Sequence, residues 1–406
     1  HKHLCEVRVL DPACGSGNFL YVTLEHLKRL EGEVLNTLED LGETGLLEMA
    51  GVTVDPHQLL GLETNPRAAD ITESVLWIGF LQWHFRTRGN VVPEEPVLKD
   101  FHNIECRDAL IEYDDVEPQL DDKGEPVTIW DGTTKPSPVT GEPIPDESQR
   151  KQVYRYLKPR AADWPEADFV VGNPPFIGEK RMRDSLGDGY VEAVRSAYSS
   201  LPACDFVMYW WHKAAKLVEA GDLRRFGLIS TNTITQTRNR RITSPHLHSG
   251  TSLVFAIDDH PWVDSADGAN VRIAMTVGEA SPAEGLLYTV WSERDSGEGS
   301  LQVEFRQRSG RIQPDLTVGP ALMDASALEA NRSLVYQGVK LVGNGFLVTP
   351  EQRAEWLQDN PDWRRFLPRL VAGTDITKRR KPRYCIDFFG LDAEQAKSAF
   401  SPGFQK

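Results

Sequence analysis

The side chains able to do chemistry fall in four short runs. The first is Asp11-Pro12-Ala13-Cys14-Gly15-Ser16-Gly17-Asn18-Phe19, an acid ahead of two closely spaced glycines. Such glycines let the backbone turn tightly and meet a ligand with no Cβ in between. The acid suits a cationic or amine-bearing ligand. No Gly-Lys-Ser/Thr follows, so a phosphate-cradling lysine is missing. The dinucleotide fingerprint GxGxxG fails as well, since Leu20 stands at its third glycine and neither Tyr21 nor Val22 supplies one. What remains is an adenosine-type ligand without a pyrophosphate. The second run holds Glu63, either an exposed loop glutamate or, at a strand end, the acceptor of two hydrogen bonds from a ribose diol. The third is Cys106-Arg107-Asp108-Ala109-Leu110, in which Asp108 can accept from an adenine amino group. The fourth is Asn173-Pro174-Pro175-Phe176. Its prolines remove donors and stiffen the turn. The Asn173 amide oxygen and the Pro174 carbonyl are then two outward acceptors, suited to an exocyclic amine, and Phe176 offers a face for stacking a base. A rigid strand-to-loop turn is the plainer reading of that run.

Elements that would position these residues are legible around them. Val7 to Leu10 reads as a buried strand, and Leu20, Leu24, Leu27, Leu30 and Val34 give the helix after the glycine turn its three- and four-residue spacing. Leu59 to Leu62 is a second strand and Pro66 to Trp83 a second helix. The separation of Glu63 from Asp11 exceeds the usual ~20 residues, so the crossover holds an inserted segment. Phe169 to Gly172 and Phe226 to Ser230 read as buried strands, Asp205 to Ala220 as a helix. Leu253 to Ile257 and Arg272 to Val277 read as a late hairpin. Strands alternating with helices make an α/β chain with a largely parallel sheet. The three acids then stand at successive strand ends, where open sheets of this kind bind ligands. Residues 114–165 hold eight of the 26 prolines, and the expectation there is a mobile, Pro-rich surface insertion. Past residue 310 the βα alternation stops. The expected domains are 1–300 and 301–406.

Composition narrows the class. The chain has 406 residues, 40% hydrophobic and 26% charged, enough for two domains. No apolar run reaches the roughly 20 residues of a membrane span, and no signal peptide is visible. Five cysteines without a CxxC pair argue for a reducing cytoplasm and against a zinc knuckle; no metal site is expected. The start at His1 and the stop after a Pro-Gly turn suggest a segment of a longer protein. Forty-five basic against sixty acidic residues give −15, which by itself disfavours nucleic acid. The distribution says otherwise. Residues 364–383 hold Arg364, Arg365, Arg369, Lys378, Arg379, Arg380, Lys381 and Arg383 against Asp375 alone, eight minus one or +7. Leu223 to Ile257 has no acid and carries Arg238, Arg240 and Arg241. Both stretches are either solvated faces or phosphate-contacting surfaces.

The first and fourth runs together resemble motifs I and IV of S-adenosylmethionine-dependent DNA adenine-N6 methyltransferases. Their order resembles the γ class, and the likeness is greatest to the MmeI-like enzymes of restriction-modification and phage-defence systems. Gly343-Asn344-Gly345-Phe346-Leu347-Val348 and Gly373-Thr374-Asp375-Ile376 are similar to the start of that family's target recognition domain. The resemblance implies a class I methyltransferase, Rossmann-like, with a mostly parallel sheet and helices on both faces, plus a partial C-terminal recognition domain. It implies S-adenosylmethionine as cofactor. Asp11, Ala13, Gly15 and Gly17 would line its methionine part, Glu63 its ribose, and Asp108 with Ala109 its adenine; Pro12, Asn18, Phe19 and Thr64 belong to the same cofactor-binding set. Asn173, Pro174, Pro175 and Phe176 would be catalytic. Arg238, Arg240, Arg241, Lys378, Arg379, Arg380, Lys381 and Arg383 would bind DNA.

The implied activity is methyl transfer to N6 of an adenine flipped out of double-stranded DNA, in the cytoplasm of a bacterium, with other subunits of a defence complex as possible partners. Rival readings are an RNA adenine or protein glutamine methyltransferase, which also use Asn-Pro-Pro-aromatic, and a non-catalytic DNA-binding subunit that keeps the scaffold.

Overall fold

The computed structural model describes residues 1–42, 53–88, 103–130, 134–136, 143–145, 148, 150–262, 271–280, 284–295, 301–320, 329, 341, 344–371 and 382–405. It divides into two compact units, His1–Leu322 and Met323–Lys406.

The first unit is built on one nine-stranded sheet. Its strands in chain order are β1 (Val9–Asp11), β2 (Leu59–Glu63), β3 (Ile104–Cys106), β4 (Phe169–Gly172), β5 (Arg225–Thr231), β6 (Ser252–Trp262), β7 (Val271–Glu279), β8 (Gly285–Asp295) and β9 (Leu301–Gly310). Across the sheet they run β9-β8-β6-β7-β5-β4-β1-β2-β3. β1 to β5 are mutually parallel. β7 is antiparallel to both β5 and β6, and β9 to β8. The expected late hairpin is therefore β6–β7. The β8–β9 hairpin has no counterpart in the sequence reading. It carries the first unit past residue 300 to Leu322, because β9 pairs along the whole of β8.

Alternation within the short strands sorts their side chains onto two faces. Val9, Leu59, Phe169 and Val171 pack with Leu20, Leu24 and Leu76 of helices α1 (Asn18–Asp40) and α2 (Pro66–Arg88). Leu10, Leu60, Leu62 and Val170 pack on the other face with α3 (Asp188–Ala197) and α4 (Val207–Ala220). Buried residues lie all round α4, including Tyr209, Trp210 and Trp211, as befits a helix inside the core. The inward stripe of α1 changes character after Leu24, to Lys28 and Glu31. These pair at 2.8 Å, and Glu31 also accepts from the Val54 N–H, tying the helix to the segment that leads into β2.

Among the described residues of 111–161 the insertion is built from short strands. Four antiparallel pairings run outward in order: Ile111–Glu112 with Arg160–Ala161, Asp115–Pro118 with Tyr154–Leu157, Thr128–Trp130 with Arg150–Gln152, and Thr134–Pro136 with Pro143–Pro145. This is a β-arm. Proline is tolerated in it because a narrow ladder leaves many N–H groups facing outward; its root packs on the core through Ile111 and Tyr156, whereas residues 112–129 bury no side chain.

The second unit, among its described residues, has a three-stranded antiparallel sheet of Leu347–Val348, Arg383–Cys385 and Arg369–Leu370. Its small core is Val348, Trp356, Phe366, Leu367, Ile386 and Phe400. Thr349 caps the helix Pro350–Asp359 and Asp392 caps Ala393–Ala399. Among the described residues no helix is long and apolar enough to cross a membrane.

A buried polar chain links α4 to helix α5 (Thr237–Ser249): Glu219 Oε1 accepts from His246 Nδ1 at 2.9 Å, and His246 Nε2 meets His212 Nδ1 at 2.8 Å. Burial, and then the neighbouring His246, push the His212 imidazole down to about 4. The unfolded chain therefore takes up this proton first as pH falls. Stability is full above about pH 6.5 and is lost toward pH 4, by on the order of 2–3 kcal/mol. Denaturant titrations at pH 7.5, 5.5 and 4.5 should show that loss in the parent chain and a smaller one in His212→Gln.

Candidate active site

Every acid singled out in the sequence sits at the carboxyl end of the parallel strands. Asp11 closes β1, Glu63 closes β2, and Asp108 follows β3. β1 and β4 are direct neighbours, in register Val9↔Phe169 and Leu10↔Val170. The glycine turn and the Asn-Pro-Pro-Phe turn thus leave the sheet side by side.

Asp11 is the most buried of the three, at 1% exposure. Its Oδ1 accepts the Ala13 N–H at 3.0 Å. Burial pushes its carboxyl up to about 7, with the Ala13 bond opposing and the Glu63 charge adding to the rise. It stands where β4 has no side chain: a Cβ on Gly172 would lie 2.7 Å from Asp11 Oδ1. Two left-handed residues shape the turn, Gly15 at φ 55° and Gly17 at φ 84°. A Cβ on Gly17 would also strike Thr72 Cγ2 at 2.8 Å. Thr72 Oγ1 donates to the Gly15 carbonyl at 2.8 Å, so α2 holds the turn from behind.

Glu63 accepts the Gly15 N–H through Oε2 (3.0 Å) and the Asn65 N–H through Oε1 (2.8 Å). It therefore cross-links the first two strand ends as well as facing the site. Asp108 takes the Leu110 and Ile111 N–H groups on Oδ1 (2.7 and 3.1 Å) and the Tyr190 hydroxyl on Oδ2 (2.6 Å). Burial, and then the Asp108 charge, hold the Tyr190 phenol far above its ordinary range, so the proton stays on tyrosine.

These groups border a cavity of about 390 Å³ lined by Pro12, Ala13, Glu63, Thr64, Asp108 and Ala109, and by Pro175 from the fourth run. Asp11, Gly15, Gly17, Asn18 and Phe19 do not line it; the first three form the turn that fixes Pro12 and Ala13, and the last two open α1. The far wall is aromatic and was not foreseen: Tyr156, Tyr190, Phe206 and Trp210. Their rings meet edge to face, Tyr156 with Tyr190 at 5.8 Å, Tyr190 with Phe206 at 6.2 Å and Phe206 with Trp210 at 4.9 Å. Tyr156 comes from the root of the β-arm, so the insertion contributes to the site. Trp210 Nε1 donates to the Pro12 carbonyl at 3.0 Å. The crowded aromatics Tyr209-Trp210-Trp211 were a visible signal; the pairing of Tyr190 with Asp108, 82 residues apart, was not.

In the fourth run Pro174 is buried, Pro175 exposed, and Asn173 and Phe176 half-buried. Phe176 packs one side on the main core. Asn173 Oδ1 is buried and accepts no hydrogen bond. An unfilled buried acceptor costs about 1–3 kcal/mol, so it marks a place where a donor belongs.

The arginines expected on DNA divide. Arg238 is committed to Glu179, with Nη1 to Oε2 at 2.6 Å. Arg240 is half-buried and donates to Thr237 Oγ1 at 3.2 Å, whereas Arg241 is exposed. Arg383 lies in a strand of the second unit. Lys378, Arg379, Arg380 and Lys381 lie outside the described residues. The cysteines are all free.

A family model described as the MmeI DNA-methyltransferase domain matches residues 1–289. DNA methyltransferase A of Bacillus subtilis (strain 168) is 24% identical over 402 residues, which are 97% of this chain and 39% of that protein. The type IIL restriction-modification enzyme MmeI, solved in complex with DNA, superposes with a TM-score of 0.58 at 23% identity, over 98% of this chain and 47% of that one. That likeness speaks for the fold, which is the class I methyltransferase architecture expected. The chain spans less than half the length of either relative.

The two turn glycines give a graded test. Gly15→Ala meets only the left-handed penalty of about 1–2 kcal/mol, with nothing within 4 Å of the new Cβ. Gly17→Ala adds the collision with Thr72, worth about another 1–3 kcal/mol. Thermal melts should rank parent above Gly15→Ala above Gly17→Ala; equal melting points for the two variants contradict the packing described.

Proposed function

The chain belongs to the MmeI DNA-methyltransferase family, and on that premise we propose that it transfers a methyl group from S-adenosylmethionine to N6 of an adenine extruded from double-stranded DNA. The observation that carries this reading is the buried, unfilled Asn173 Oδ1, on a proline-stiffened turn that borders a cavity with two strand-end carboxylates.

The cavity residues fit the cofactor. Glu63 and Asp108 each keep lone pairs beyond those their backbone partners use, one for a ribose diol and one for an adenine amine. Ala109 adds backbone to the adenine end, and the aromatic wall gives apolar cover to a planar base. Bound there, the cofactor supplies an electrophilic methyl group on a sulfonium. Everything else is work for the chain. Asn173 Oδ1 and the Pro174 carbonyl accept the two hydrogens of the target amine and aim its nitrogen. As that nitrogen attacks, it gains positive charge, and two fixed acceptors in a partly dry site stabilise it more than water would. No side-chain nucleophile is needed. The outer half of the Phe176 ring is the face on which the extruded base stacks, worth roughly 1–3 kcal/mol.

DNA is favoured over RNA or protein by the family and by concentration of positive charge in an acidic chain. Arg241 and the 378–383 cluster are the phosphate contacts in this reading, with Arg238 paired to Glu179 and Arg240 bonded within α5. The expected setting is a bacterial restriction-modification or phage-defence system.

Transfer of a labelled methyl group to duplex DNA, RNA and protein tests the reading. Label should appear as N6-methyladenine in DNA. Asn173→Ala should lose most turnover while calorimetric cofactor affinity holds. Glu63→Ala should weaken cofactor binding by about 1.5–3 kcal/mol. Loss of cofactor binding in Asn173→Ala would return the turn to a structural role. Phosphate contacts release counterions, so replacing Arg379 and Arg380 by Ala should make the slope of log affinity against log salt shallower by up to about 2, with little change in sequence preference. A parental slope would move the contact surface elsewhere.

A further inference from the structure

We propose that Asp205 is a positioning residue of the methyl-transfer site: its carboxylate fixes the chain leaving Asn173-Pro174-Pro175-Phe176, and so sets where that turn stands relative to the glycine turn. The inference rests on the methyltransferase reading above and adds a residue that the reading does not use.

The turn itself is poor in anchors. Pro174 and Pro175 have no N–H to give, and the Ile177 N–H bonds back to the Pro175 carbonyl at 3.2 Å, inside the turn. Its outward connections are made just beyond it, and they converge on two adjacent residues. The Phe206 N–H donates to the Ile177 carbonyl at 2.9 Å. The Glu179 N–H donates to Asp205 Oδ1 at 2.9 Å. The chain passes close between these bonds at Gly178, where a Cβ would have Asp205 Oδ1 3.9 Å away.

Asp205 is held from the other side just as firmly. Its Oδ2 accepts from Thr233 Oγ1 at 2.8 Å and from Asn239 Nδ2 at 2.7 Å, and its own N–H donates to Asn239 Oδ1 at 3.1 Å. Thr233 follows β5 and Asn239 lies in α5. One carboxylate therefore gathers three segments: the chain after the catalytic turn, the loop after β5, and α5. Glu179 adds a second tie, since Arg195 of α3 and Arg238 of α5 both pair with it, at 3.3 and 2.6 Å.

From Asp205 the path to the cofactor turn is short. Asp205 and Phe206 lead directly into α4, and Trp210 within α4 donates to the Pro12 carbonyl at 3.0 Å. One rigid helix thus holds the glycine turn at Trp210 and the acceptor turn at Asp205. A donor and an acceptor of methyl must meet within a few tenths of an ångström along one line, and a 1 Å error costs about a hundredfold in rate.

The pattern of donors makes the charge state of this side chain specific. Both oxygens of Asp205 face N–H or O–H groups. In Asp205→Asn one of them becomes an amide that must face a donor, either the Glu179 N–H or the Asn239 amide. Exchanging the two residues, Asp205→Asn with Asn239→Asp, restores an acceptor opposite a donor between the two side chains, at the loss of the bond from Asn239 Nδ2 to the Thr233 carbonyl.

The experiment uses the full chain with four proteins: parent, Asp205→Ala, Asp205→Asn and the exchanged pair. Hydrogen exchange at residues 176–181 should be about tenfold faster or more in Asp205→Ala, with β1 to β5 unchanged. Turnover on DNA should fall by about a hundredfold in Asp205→Asn with calorimetric cofactor affinity unaltered, and the exchanged pair should recover most of it. Unchanged exchange at 176–181 overturns the proposal whatever the turnover. A lower melting temperature with parental turnover per folded molecule overturns it as well, since that is a stability role only. A parent that methylates while Asp205→Asn is equally fast removes the positioning role alone. A parent that transfers no methyl group to any acceptor removes the reading of the whole site.

Discussion

The pairing of β1 with β4 is the constraint on which the site depends. Sequence order breaks there: β1 has β2 on one side and β4, more than 150 residues later, on the other. At such a switch point the chains that follow the two strands diverge and leave a crevice. The register sets Asp11 beside the end of β4, where Gly172 leaves room for its carboxylate. A larger residue at either place would push the glycine turn away from the acceptor turn. Burying an acid so deeply has a cost, visible in the upward drift of its proton affinity. The Ala13 N–H offsets part of it and uses the same bond to shape the turn.

Around that pairing the polar groups serve twice. Glu63 ties Gly15 to Asn65 while presenting carboxylate to the cavity. Asp108 organises the chain at 110 and 111 and orients Tyr190. Trp210 packs in the core and holds Pro12 by its indole N–H. Each of these three side chains is therefore restrained by a bond that folding itself requires, and their geometry comes with the stability of the sheet. Arg238 shows the same economy from an unexpected direction. Read from the sequence it was a candidate DNA contact; in the fold it is partly exposed and pairs with Glu179, just beyond the Asn-Pro-Pro-Phe turn.

Much of this was legible in the sequence where the signal is local. Strand-turn-helix at 9–40, the buried strand 169–172 and the helix ending at Ala220 are each written in the apolar spacing of a few residues, and the acids at strand ends follow from where those strands stop. Residues that act across long sequence separations were not legible. Tyr156 and Tyr190 belong to the cavity only because the β-arm returns beside α3. The arm itself was hidden because its outward stretch, residues 112–129, buries no side chain and so has no reason to alternate apolar and polar residues. Strand β9 was missed for a related cause, since most of it is exposed; β8 was missed although Leu286-Leu287-Tyr288-Thr289-Val290-Trp291 is a β-prone run. Asp11 was read as a ligand-facing acid at a strand end; that it is buried and accepts the Ala13 N–H was not legible.

The β-arm has a consequence for how this chain tolerates change in length. Its two rails enter and leave together, with Ala162 bonded back to Leu110 and Asp114 to Leu157. An excursion that closes on itself at its base adds nothing to the span between β3 and β4. Residues can be gained or lost in matched pairs toward the tip while the register of the sheet stays as it is. The freedom ends at the root, where Tyr156 faces Tyr190. The outer arm is thus a graft point: a segment free to diverge between relatives, or to be exchanged by design, on a core whose spacing cannot drift.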